Sequence, residues 1–134
     1  MNKWIAGSGV LSLFTLGIHV VMGGQEVHDP TLRSELALLI KAVWSVVWHF
    51  TTAILGLNGL ALIYAAKSEA VQKPLVLLVV AQYAALSILF IGYSMAYLGS
   101  PIEMPQWTLF AAICALGLWG LRHSVRIAGA EGAR

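Results

Sequence analysis

Two histidines, His19 and His49, each stand inside a long apolar run, and a third, His28, lies in a polar stretch with Glu26 and Asp29. An ionisable group at membrane depth is costly when charged, up to about 3 kcal/mol on insertion scales, and usually faces an interior or a cavity. Neutral imidazole is also the commonest metal ligand, and its protonation changes near physiological pH. The chemistry open to His19 and His49 is therefore axial ligation of a b-type haem, binding of copper or zinc, or relay of protons. Glu26, His28 and Glu103 add carboxylate and imidazole to the same expected end of the molecule, and Met22, Met95 and Met104 add thioether. His19 and His49 are the expected cofactor ligands, and His19, His28, His49, Glu26 and Glu103 form the candidate metal set. The absence of CxxCH excludes covalent c-type haem. The single cysteine, Cys114, lies in an apolar run and reads as a small core thiol.

The elements that would carry these residues follow from composition. Of 134 residues, 59% are hydrophobic and 10% charged, with a formal charge of +2, and the mean hydropathy is +0.81. A soluble domain averages about 25% charged residues, so there is too little charge here to cover a water-facing surface. The lipid bilayer is the expected surrounding. The few charges sit between apolar runs rather than in a basic patch, and nothing points to nucleic acid.

Crossing a hydrocarbon core of ~30 Å takes about 20 apolar residues. Four runs qualify, at about 4–22, 41–66, 74–98 and 106–121. They predict a single all-α domain over 1–134, an integral membrane four-helix bundle in up-down-up-down order. The outer loops fall at 23–40 and 99–105, and the inner loop at 67–73. Gly23-Gly24 is expected to stop the first helix. Asp29 and Pro30, as N-cap and first-turn proline, are expected to start the second. That second helix would then carry an interfacial lead-in from Thr31 to Ile40, with Leu32, Leu36 and Leu39 on its apolar side. Pro74 is expected to open the third span, and the Gly- and Ala-rich tail Ile127–Arg134 to fray.

Charge sets the expected orientation. The side holding the termini carries Lys3, Lys67, Lys73, Arg122, Arg126 and Arg134, against Arg33 and interfacial Lys41 on the other. This places both termini in the cytoplasm, in a membrane such as the bacterial inner membrane. Trp44, Trp48 and Trp107 near the outer boundary, and Trp4 and Trp119 near the inner one, match an aromatic belt. The histidines then belong to the outer half.

Each of three spans has a polar or small-residue face at helical spacing: Ser8, Ser12, Thr15, His19 and Gly23; Lys41, Ser45, His49, Thr52, Gly56 and Gly59; Tyr83, Ser87, Ser94 and Tyr97. Close helix packing accounts for the small and hydroxylated residues; the histidines call for more. The leading functional expectation is an outer-leaflet histidine site that binds haem b or a metal in an electron-transfer setting. The alternatives are an accessory subunit of a larger membrane complex, whose histidines only hydrogen-bond between helices, and a proton- or cation-conducting bundle that would need to homo-oligomerise. An intramembrane enzyme acting on a lipid or quinone, with His49 or Glu103 as general acid or base, is a further class. The segment His19-Val-Val-Met-Gly-Gly-Gln-Glu-Val-His28-Asp29 resembles histidine-bearing segments in the membrane anchors of quinone-linked dehydrogenases, which generally have three spans per chain. The resemblance is confined to this segment, and no residue role is taken from it.

Orientation is directly testable. Reporter fusions after Arg134 and within Gln25–Asp29 should report cytoplasm and exterior respectively; the reverse pattern would move the histidines to the inner half.

Overall fold

A computed structural model of the protein describes the backbone of residues 1–131 and the side chains as far as Ser124. The described residues are all helix and connection. Helix α1 (Lys3–Ile18) runs without a break into a π-helical stretch, His19–His28, and then into α2 (Asp29–Arg33); α3 (Leu38–Ala65), α4 (Glu69–Leu98) and α5 (Trp107–Glu131) follow. By length and composition, the continuous helix Lys3–Arg33, α3 and α4 are each apolar enough to cross a membrane. The fourth expected run, 106–121, lies in α5, where Arg122 and His123 cut the apolar stretch short.

Helix α1 packs against α3 and α5, and α4 packs against α5 and α3, closing a four-sided bundle. The contacts climb α1 as they descend its two neighbours. The Asn2 N–H reaches the Ala66 carbonyl at 2.8 Å, Ser12 donates to the Leu55 carbonyl at 3.0 Å, and His19 lies beside Trp48. Against α5, the Asn2 amide donates to the Gly120 carbonyl at 2.8 Å and Ser8 to the Ile113 carbonyl at 2.8 Å.

The tightest approach is at Gly9 and Gly59. A Cβ on Gly9 would lie 2.8 Å from the Gly59 carbonyl oxygen, and one on Gly59 would lie 3.2 Å from that of Gly9. Without side chains here, the two backbones touch. This is how small residues drive association where lipid is as apolar as the helices themselves. Around this contact Ile5, Leu55, Leu62, Val76, Val79, Tyr83 and Ile113 are fully buried. Tyr83 stacks on Phe110, with ring centroids 5.5 Å apart, and its hydroxyl meets Ser12. Since the one Ser12 proton goes to the Leu55 carbonyl, Tyr83 is the donor to Ser12. Asn58 donates to Gln82 at 3.3 Å beside them.

Several sequence-based expectations need correction. Gly23-Gly24 does not stop the first helix, which changes its winding there and continues to Arg33. The chain leaves the helix at Ser34 (ψ 170°), and Ala37 (ψ 144°) precedes Leu38. Asp29 therefore caps nothing, and Pro30 sits in a first turn that follows on from the π stretch. The expected lead-in to the second helix is split. Thr31–Arg33 belongs to the first helix, Leu36 to the connection, and Leu39 to the first turn of α3, where it is exposed. Pro74 does not open α4, which begins five residues earlier. Its first turn is held by Gln72, which donates to the Ala65 carbonyl at 3.1 Å and accepts from Ser124 at 2.9 Å. The turn at Gly99 (φ 75°), a conformation suited to glycine, and the break before Trp107 fall where expected. Helix α5 continues to Glu131; the rest of the tail, 132–134, lies outside the described residues.

The polar faces of α1 and α4 point inward as expected at Ser8, Ser12, Thr15, Tyr83, Ser87 and Ser94, but Tyr97 is exposed. In α3 the buried residues are Leu55, Asn58, Gly59, Leu62 and Ala65, and His49 is exposed. The Gly59 contact sets this rotation. His49 is about 2.8 turns away and falls to one side, whereas Trp48, about 3.1 turns away, shares the Gly59 face.

Gly9→Ala should therefore lower stability by about 1–3 kcal/mol through overpacking, read as a reduced melting temperature in detergent. Gly7→Ala, where a Cβ meets nothing within 4 Å, should leave it unchanged. Equal effects of the two would contradict the glycine contact.

Candidate functional site: an imidazole cluster around Trp48

The change in winding at His19 decides which side chains meet. In the π stretch the backbone N–H of residue i bonds five residues back, as Asp29 does to the Gly24 carbonyl. Nine residues make about 2.5 turns of α-helix, which would put His19 and His28 on opposite faces. With an i→i+5 pattern and roughly 4.4 residues per turn, nine residues make about two turns. The π winding thus brings His19 and His28 onto one face.

That face receives Trp48 of α3. The His19 ring stacks on the indole with centroids 4.0 Å apart and planes at 21°, and the His28 ring stacks on it at 5.1 Å and 23°. Between them in the chain, Gly23 meets the indole edge: a Cβ there would lie 3.0 Å from Cη2 of Trp48. A side chain at 23 would press on the indole edge, so glycine leaves the indole its room beside the two imidazoles. The His19 Nε2 approaches the Trp48 carbonyl oxygen at 3.4 Å, and Thr52 donates to the same carbonyl at 3.0 Å.

His28 also meets His49, with centroids 5.6 Å apart and rings nearly perpendicular at 69°. Trp44, one turn before Trp48, lies 6.4 Å from it. Among the described residues two buried side-chain nitrogens have no hydrogen-bond partner, His28 Nε2 and Trp44 Nε1. Leaving such a group unpaired costs about 1–3 kcal/mol. Both belong to this cluster.

The structure thus assembles the sequence-derived site in a different pairing. His19 packs on Trp48, and the imidazole contact falls between His28 and His49 and not between His19 and His49, the expected axial pair. His28, read from sequence as part of an outer loop, is helical, half-buried and central. Glu26 and Glu103 are both exposed. Among the described residues no three of His, Cys, Asp and Glu gather closely enough to hold a metal ion. Met22 and Met95 are also exposed. Sequence reasoning placed Trp48 in an aromatic belt and missed its position between two histidines. The available signal was Gly23, four residues beyond His19, at the level where an indole needs room. Asn58 and Asn2, which bond between helices, were missed because neither falls on the polar faces counted at α-helical spacing; Gln72, on the Tyr83 face about three turns earlier, was missed because 67–73 reads from sequence as a loop.

No protein-family model, curated protein or solved structure matches the chain. Its class is therefore defined by the fold and site alone: an all-helical protein with three helices able to cross a membrane and an imidazole–indole cluster at one end of the bundle.

Stacking on an indole has a direct spectroscopic consequence. Imidazole proton resonances of both His19 and His28 should be shifted upfield by the Trp48 ring current, and Trp48→Leu should return both toward ordinary values. A shift of His19 alone would show that His28 lies elsewhere.

Proposed function

We propose that the protein is a four-span membrane bundle in up-down-up-down order with both termini cytoplasmic, and that the imidazole cluster at its outer end binds a first-row transition metal ion through His28 and His49. The observation that carries this reading is the buried Nε2 of His28, which has no hydrogen-bond partner and belongs to a ring 5.6 Å from that of His49. An ion about 2.0–2.1 Å from one nitrogen of each of two imidazoles, in trigonal or tetrahedral geometry, holds the ring centroids about 5–5.6 Å apart. The spacing suits such an ion.

Imidazole ligands favour copper and zinc over magnesium or calcium, and copper binds most tightly in the divalent series. Two protein ligands leave coordination positions open to water or an exchangeable ligand. Such a site fits an ion that is handed on or that changes oxidation state, rather than one locked into the fold. His19 and Trp48 play a supporting part here. The indole covers one face of His28 and is itself backed by His19, which fixes the orientation of the His28 ring.

Haem b held by His19 and His49 is the rival use of the same imidazoles. Its weakness is that the His19 Nε2 is already directed at the Trp48 carbonyl oxygen, 3.4 Å away.

Titration of the purified protein with Cu²⁺, followed by electron paramagnetic resonance, separates these readings. His28→Ala and His49→Ala should each weaken binding at least 10-fold, since loss even of an indirect partner typically costs 10–100-fold. His19→Ala should change it by less. Equal retention of copper in all three variants would sink the assignment. A Soret band on haem addition that disappears in His19→Ala and His49→Ala would replace it with the haem reading.

A further inference from the structure

The segment that brings His28 to His49 is wound in the less common of two ways, and the alternative winding brings a different ligand to the same place. Seven residues, from His19 to Glu26, make about two turns of α-helix, but only about 1.6 turns at roughly 4.4 residues per π turn. For His28 the relation is inverted, with about 2.5 α turns and about two π turns. An α-wound segment would therefore present Glu26 on the face now held by His28 and turn His28 outward. In the structure Glu26 is exposed and His28 is half-buried, as the π winding demands.

The surrounding chain is built to permit the exchange. Gly23 and Gly24 sit mid-segment, and glycine is among the weakest residues at holding one helical winding. The segment's tip, α2, is only five residues long and ends at the non-helical Ser34–Ala37, so a rotation of about half a turn can be taken up there without moving α3. A π stretch of this length is unusual, since π winding occurs mostly as single turns. Its one evident tertiary support is the packing of Trp48 on His19 and His28.

We propose that residues 19–28 carry two alternative ligand sets for one ion position beside His49: His28 with His49 in the π winding, and Glu26 with His49 in the α winding. This rests on the metal-site reading above and deepens it. The imidazole pair selects copper or zinc, whereas the carboxylate-containing pair accepts harder ions such as manganese. A bound ion shifts the population toward the set it prefers, by no more than its difference in affinity for the two.

Disulfide trapping in vesicles tests the two windings without metal. In a Cys114→Ser background, cysteine pairs are introduced as His28→Cys with His49→Cys, Glu26→Cys with His49→Cys, and Gln25→Cys with His49→Cys. Residue 25 faces away from His19 in both windings and sets the background. The 28/49 and 26/49 pairs should both close clearly above the 25/49 pair, the 28/49 pair even though the His28 ring that packs on Trp48 is lost. A 26/49 yield at background while 28/49 closes would overturn the two-state proposal and leave the metal site standing. Failure of 28/49 itself would overturn both. With His49 intact, His28→Ala should retain Cu²⁺ at about 10-fold weaker affinity with mixed nitrogen and oxygen coordination, and adding Glu26→Gln should remove it. Complete loss of copper in His28→Ala alone would contradict Glu26 as the alternative ligand.

Discussion

The contact of the Gly9 and Gly59 backbones fixes the register of the whole molecule. Two helices that meet with no side chain between them have little freedom to slide or turn, because each neighbouring position then meets a fixed partner. Ser12 falls opposite the Leu55 carbonyl, Asn2 opposite Ala66, and His19, ten residues from Gly9, reaches Trp48, eleven residues from Gly59. The imidazole cluster is thus a remote consequence of two missing side chains near the other end of the bundle. It could not have been placed by considering the histidines alone.

A second constraint works with the first. Buried polar groups must find partners within the protein, and here they do so mostly by bonding a neighbouring helix. Ser8 and Ser12 bond carbonyls of α5 and α3, Tyr83 donates to Ser12, and Asn2, Ser124 and Gln72 form a chain that ties all four long helices together at one end. At the other end the pattern changes. His28 Nε2 and Trp44 Nε1 are buried without partners. Among the described residues, the buried side-chain polar atoms left without a partner are thus confined to the imidazole cluster.

Much of this was legible in the sequence, because it rests on local patterns. Apolar run lengths located the four long helices, and the α-helical spacing of Ser8, Ser12 and Thr15, and of Tyr83, Ser87 and Ser94, correctly identified inward faces. The histidines were recognisable as unusual by position. What could not be read was their pairing. Counting at 3.6 residues per turn assigns His28 to the wrong side of its helix and, with Gly23-Gly24 taken as a stop, removes it from the helix entirely. The π winding accompanies a tertiary contact, the indole of Trp48 packed on His19 and His28 beside Gly23, which counting at 3.6 residues per turn does not reveal. The rotation of α3 was misjudged for a related reason: its buried face is set by Gly59 against Gly9, not by the polar residues that His49 seemed to continue.

The most direct measurement is magic-angle-spinning NMR of the histidine-, tryptophan- and glutamate-labelled protein in lipid bilayers. The account predicts through-space cross-peaks from both His19 and His28 to Trp48 and from His28 to His49. Cross-peaks from Glu26 to Trp48 with none from His28 would show that the segment is α-wound in the membrane, and would contradict the cluster on which the proposed function depends.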